Sequence, residues 1–172
     1  MAERKLPQNI DAEMAVLGCA FLTDYAKDKI CEELNADMFL IEANRRIWEA
    51  IYELYQKKTP LDSATVTNEI NKKGSIDSLG GIEYLSEVID SVITSANVDY
   101  YIDIVKDKAL RRALISVTND INVEAYNEEK ETSDVITESI TSLKYSIPPI
   151  ESILPFLLIS FVTVAESSGI FF

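Results

Sequence analysis

Histidine is absent from the 172 residues, tryptophan occurs once, cysteine twice, and glycine and proline five times each. Without imidazole there is no Ser-His-Asp or Cys-His catalysis and no histidine metal site. The two cysteines, Cys19 and Cys31, form no CxxC pair. The opening Met1-Ala2-Glu3-Arg4-Lys5-Leu6-Pro7 lacks the apolar core of a secretory signal. Together these point to two reduced thiols in a cytoplasmic protein. Five glycines and five prolines are too few for the many turns of a β-protein. Basic residues are also short, 16 Lys+Arg against 29 Asp+Glu, for a net charge of −13. A surface that neutralises phosphates needs the opposite balance, so little direct DNA binding is expected.

What is present is ordinary globular material, 47% apolar and 26% charged. The length allows one domain with a real core, plus an appendage. Asn9 is placed to cap a helix whose first turn carries Asp11 and Glu13, acids that suit the positive end of a helix dipole. Thr23-Asp24 opens a second helix, Tyr25 to Leu34. A third runs from about Ala43 to Gln56, with Ile47, Ile51, Leu54 and Tyr55 on one stripe and Trp48 as core. Pro60 breaks the ladder, and Asp62 or Ser63 caps a fourth helix ending at Lys72-Lys73 with Gly74 at its C-terminal stop. A fifth starts at Gly80-Gly81 and buries Tyr84, Leu85, Val88, Ile89 and Val92.

Thr94 to Asn97 turns into a long helix from Val98 to about Tyr126, some 42 Å at 1.5 Å per residue. Its seam is Val98, Tyr101, Ile102, Val105, Ala109, Leu114, Val117 and Ile121. The polar Asn127–Glu131 turn leads into a returning helix from Ser133 through Val135, Ile136, Ile140 and Leu143. A long helix with a returning partner is an αα-hairpin, a packing or dimerising arm. From Tyr145 to Phe172 only Glu151 and Glu166 are charged. Within that tail, Ser152 to Ala165 is uncharged but shorter than the ~20 residues of a spanning helix, and Pro155 lies inside it. A membrane anchor, a segment that packs on a partner, and a tail foreign to the domain are the three readings.

The chemistry is sparse. None of Gly18, Gly74, Gly80, Gly81 or Gly169 precedes a lysine, so these residues hold no Walker A loop for ATP, and no GxGxxG occurs. Adjacent acids such as Glu32-Glu33 and Glu128-Glu129 do not face one another on a helix and read as solvated surface. No cofactor and no metal are expected. Arg45-Arg46 and Arg111-Arg112 sit beside apolar stripes. They either pair with acids inside the fold or reach a partner, where arginine is enriched.

The order of blocks is informative. Pro7-Gln8-Asn9-Ile10-Asp11-Ala12-Glu13, followed by Ala15-Val16-Leu17-Gly18, resembles the opening of the N-terminal domain of DnaB-type hexameric replicative helicases. The likeness continues through Arg46-Ile47-Trp48-Glu49-Ala50-Ile51, Pro60-Leu61-Asp62 with Thr65-Val66, and Gly80-Gly81 with Tyr84-Leu85. It runs on through Ser95-Ala96-Asn97-Val98-Asp99-Tyr100-Tyr101, Ile104-Val105 and Lys108-Ala109-Leu110-Arg111-Arg112. The resemblance covers residues 7 to 143. It implies an all-α fold, a small helical bundle followed by a long αα-hairpin. The expected layout is an N-terminal arm at 1–8, the bundle at 9–96, the hairpin at 97–143 and an atypical apolar tail at 144–172.

The resemblance also implies a role. Hairpins of the family pair two subunits, three pairs form a hexameric collar, and the same surface receives the C-terminal domain of primase; a helicase loader is a further candidate partner. The expected function is therefore a non-catalytic assembly and primase-interaction domain of the primosome. Its self-association or partner residues are expected among Val98, Tyr101, Ile102, Val105, Arg111, Arg112, Leu114, Val117, Ile121, Ile136 and Ile140. The family continues through a polar linker into an ATPase motor, whereas this sequence turns into its apolar tail, as a truncated or frame-shifted reading frame would. The alternatives are a subunit that works only with a separate motor polypeptide, and a membrane-tethered or mobile-element-encoded regulator that binds helicase or primase.

Overall fold

A computed structural model of the chain describes residues 5–74, 76–127 and 129–146. Among these, every regular element is helical and no strand occurs: α1 (Ile10–Leu22), α2 (Asp24–Glu33), α3 (Glu42–Gln56), α4 (Ser63–Lys73), α5 (Gly81–Asp90), α6 (Val98–Ala125) and α7 (Thr132–Ser146). Two short 3₁₀ turns, Ala36–Met38 and Ile76–Leu79, fall where the sequence patterns signal no helix. The chain divides into two compact units, residues 1–112 and 113–172. The apolar tail beyond Ser146 lies outside the described residues.

The first unit is organised around α1. This helix has too wide an apolar surface to be half-exposed, and from Ala12 to Ala20 only Met14 escapes burial. It contacts α2, α3 and α5. Gly18 lets α5 approach closely, because a Cβ there would stand 2.5 Å from the Val88 carbonyl oxygen of α5. Around α1 gather Ile30, Phe39, Ile47, Trp48, Ile51 and Leu54, then Val66 and Ile70 from α4 and Leu85 and Val88 from α5. Val98, Ile102 and Val105, on the first two turns of α6, complete that core. Trp48 is buried, as its place in the α3 stripe indicates, and stacks on Tyr52 with ring centroids 4.9 Å apart.

Local signals explain most helix ends. Asn9 accepts from Ala12 N at 3.0 Å and Thr23 from Ala26 N at 3.2 Å. Asp62, rather than Ser63, caps α4: its carboxylate takes Thr65 N at 2.8 Å while the Thr65 hydroxyl takes Asp62 N at 3.0 Å. Two ends differ from the sequence expectation. Gly74 follows α4 with φ 163°, extended backbone open to any residue, so no left-handed glycine cap forms there. The left-handed cap belongs instead to Lys58, at φ 53°. Lys58 N bonds to Tyr55 O and Thr59 N to Leu54 O, the paired bonds of a Schellman motif closing α3.

The two cysteines are buried and free. Burial pushes both thiols above their ordinary range, Cys31 to about 12, so they stay protonated and unreactive. No helix among the described residues is long and apolar enough to cross a membrane.

The second unit contains the end of α6, the turn and α7. Lys130 of the turn meets Glu124 of α6 at 2.9 Å and Glu138 of α7 at 2.8 Å, tying the tip together. Among the residues from 113 to 142 whose burial is described, Val117 is the only one buried.

Candidate partner surface

Two structural themes bear on function: how the start of α3 and the middle of α6 are held, and which apolar side chains remain uncovered. The segment Met38–Ile41, between the first 3₁₀ turn and α3, has its backbone groups taken one after another by charged side chains. Arg112 of α6 donates to the Met38 carbonyl at 2.6 Å and to the Pro7 carbonyl at 3.0 Å. Arg45 donates to the Phe39 carbonyl at 3.3 Å. The Glu13 carboxylate accepts from Leu40 N at 2.9 Å, Ile41 N at 3.3 Å and Asn44 Nδ2 at 3.0 Å. Tyr84 of α5 then donates to Asn44 Oδ1 at 2.7 Å.

Glu13, only 2% exposed, therefore does more than suit its own helix dipole. It reaches across to the N-terminal end of α3, where Ile41 offers no side-chain cap. Sequence spacing could not reveal this role, since Glu13 stands 27 residues from Leu40. The one available signal was an acid on an otherwise apolar helix, a buried charge that must find partners. The Arg112 pKa is pulled down by burial, held up by Glu13 and lowered again by Arg45.

The arginine pairs are largely engaged inside the chain. Arg46 binds Glu42 at 3.0 Å and Glu49 at 3.4 Å, Arg45 also meets Glu42, and Arg111 binds Asp107 one turn away at 3.0 Å. Of the residues expected to meet a partner, Val98, Ile102 and Val105 belong to the bundle core, and Tyr101 is partly covered by it. Val117 is buried and Ile121 half-buried. Leu114, Ile136 and Ile140 are exposed, at 49%, 46% and 38%. Ile115 and Val123 of α6, and Tyr126 just after its end, join them as exposed apolar side chains that the seam pattern passed over. The exposed apolar part of the expected surface thus lies in the second unit, on α6 beyond Arg112 and on α7.

Grooves in the first unit offer no chemistry to set against this surface. One of about 260 Å³ is lined by Glu42, Arg46, Glu49, Glu69 and Lys73, whose charges pair with one another or with Lys57, Lys72 and Glu53. Among the described residues no cluster of three acidic or cysteine side chains is arranged to hold a metal ion.

The family profile described as the DnaB-like helicase N terminal domain matches residues 5–107 of the chain. The chain belongs to that family. Its DnaB character extends past the profile. The replicative DNA helicase DnaC of Bacillus subtilis (strain 168) is 37% identical over 137 residues, which is 80% of this chain and 30% of the relative. The replicative DNA helicase DnaB of Geobacillus stearothermophilus is 37% identical over 138 residues, again 30% of its length. The chain therefore spans about 30% of the curated relatives it matches.

Solved structures agree. The crystal structure of the N-terminal domain of DnaB helicase from Mycobacterium tuberculosis superposes with a TM-score of 0.76 at 31% identity, covering 81% of this chain and 98% of that one. A DnaB-like replicative helicase, solved to describe its interactions with primase, shares the fold with a TM-score of 0.67 at 20% identity, over 87% of this chain and 35% of that one. The all-α reading and the DnaB N-terminal-domain resemblance both stand.

Proposed function

We propose that the chain serves as the assembly and primase-interaction domain of a replicative helicase, working in the cytoplasm as a non-catalytic part of the primosome. The observation that carries this reading is the division of labour along α6. Its first two turns complete the core of the first unit through Val98, Ile102 and Val105. Beyond Arg112, α6 and α7 present Leu114, Ile115, Ile136 and Ile140 to solvent. A long helix that leaves so much apolar surface uncovered is built to meet another protein. Self-association of hairpins into dimers, and of dimers into a hexameric ring, uses that surface first. A primase C-terminal domain is the second partner, and a helicase loader would engage the same module. ATP hydrolysis and DNA translocation belong to a motor joined to such a domain, since no Walker A loop occurs here and the net charge of −13 repels phosphate.

Sedimentation velocity across micromolar concentrations, with and without a primase C-terminal domain, tests the reading. The expected result is a concentration-dependent dimer or larger species that shifts on adding the primase domain. A strict monomer that fails to bind the primase domain refutes it. Substituting Ile136 and Ile140 by Asp should abolish the shift while helical content is retained.

A further inference from the structure

We propose that the N-terminal arm is a strap on α6: Arg112 grips the Pro7 carbonyl, and this grip holds residues 106–112 of the helix to the first unit. Whatever takes hold of the arm therefore loosens α6 at a point 105 residues away in sequence.

Core burial secures this part of α6 only as far as Val105. None of residues 106–112 is buried, and Leu110 and Arg111 are exposed. Lys106 pairs with Glu33 of α2, whereas Lys108 and Arg111 pair with Asp107 of their own helix. Beyond Lys106, the side chain of this stretch that bonds to other segments is Arg112, which donates to the Met38 and Pro7 carbonyls.

The arm is held as lightly as the helix. Pro7 has a carbonyl to offer and no N–H. Lys5, Leu6 and Gln8 are exposed, and among residues 5–8 the Pro7 carbonyl is the group bonded to another segment. Each element thus depends on the other. Both acceptors of Arg112 are neutral, so losing one leaves a charged donor half-covered and unpaired. A hydrogen bond to a charged group is strong enough to change a local opening equilibrium about tenfold.

Hydrogen exchange tests this on the full chain, a chain lacking residues 1–7, R112M, and the two changes combined. Asn9, which caps α1, is kept in all four. Methionine retains an apolar stem and removes the donors. Removing the arm should speed exchange of amides 109–112 about tenfold, with those of Ile102 and Val105 unchanged. Trypsin cleavage after Arg111 should rise by a similar factor. In R112M the same amides should exchange faster, and removing the arm from it should add nothing.

Equal exchange with and without the arm overturns the proposal, and that comparison stands by itself even if R112M misfolds. Further acceleration on removing the arm from R112M overturns it too, since the arm would then act through other contacts. So does acceleration that reaches Ile102 and Val105 equally, because the arm would then steady the whole bundle and not α6 in particular.

Discussion

Replacing Glu13 by Ala tests the central structural argument. The carboxylate serves three donors, Leu40 N, Ile41 N and Asn44 Nδ2, in a site that is almost closed to water. Its removal leaves those donors unpaired and opens a small cavity. An orphaned buried donor costs about 1–3 kcal/mol. Against this stands the desolvation penalty of burying the carboxylate, which the substitution relieves. The balance is a loss of about 3–5 kcal/mol, the usual cost of removing one partner from a buried charged network. In a chain of this size that lowers Tm by about 10–15 °C. Thermal and urea unfolding by circular dichroism should show the shift, with Glu42→Ala, an exposed acid on α3, as a control that moves little. A double-mutant cycle with Asn44→Ala should give a coupling of about 1 kcal/mol or more. A Glu13→Ala loss below about 1 kcal/mol would refute the reasoning, because it would mean that water serves the start of α3 as well as the carboxylate does.

Three further outcomes follow from the geometry. Gly18→Ala should destabilise by about 1–3 kcal/mol despite alanine's better helix propensity, since the new Cβ meets the Val88 carbonyl at 2.5 Å and backbone must shift; urea midpoints measure it. Lys58→Gly should stabilise by about 0.5–1 kcal/mol in the same assay, because the left-handed φ of 53° penalises any residue with a Cβ. Hydrogen bonds from Lys72 and Lys57 hold the Glu69 carboxyl down to about 2, against an ordinary value near 4.5. Its folded-state value is depressed, so its contribution is complete above about pH 4.5 and is lost as pH falls towards 2. Thermal melts over that interval should fall less steeply for Glu69→Gln than for the unsubstituted chain.

Much of the fold is legible in the residues because helical periodicity and capping are local. Asn9, Thr23 and Asp62 announce their helix starts within three residues, and the stripe of Ile47, Ile51 and Leu54 points to the side of α3 that is buried. The partner surface is legible only in part. Leu114, Ile136 and Ile140 are exposed, yet Val98, Ile102 and Val105 carry the same spacing and lie in the core. Periodicity reports that a helix has an apolar face and says nothing of what covers it. Arg112 shows the same limit. Its position beside a stripe suits a partner contact, but its guanidinium donates to Pro7 and Met38, contacts made across more than seventy residues of chain.

The residues by themselves determine an acidic all-helical chain, without histidine chemistry or a phosphate loop, carrying a DnaB-type bundle and hairpin pattern. Those properties depend on composition and on neighbours a few positions apart. Only the tertiary structure decides that Glu13 serves α3 rather than α1 alone, that a lysine holds the left-handed close of α3, and that α6 is core in its first turns and exposed beyond Arg112. Each depends on which helix comes to lie against which, and that is set by the packing of the whole core.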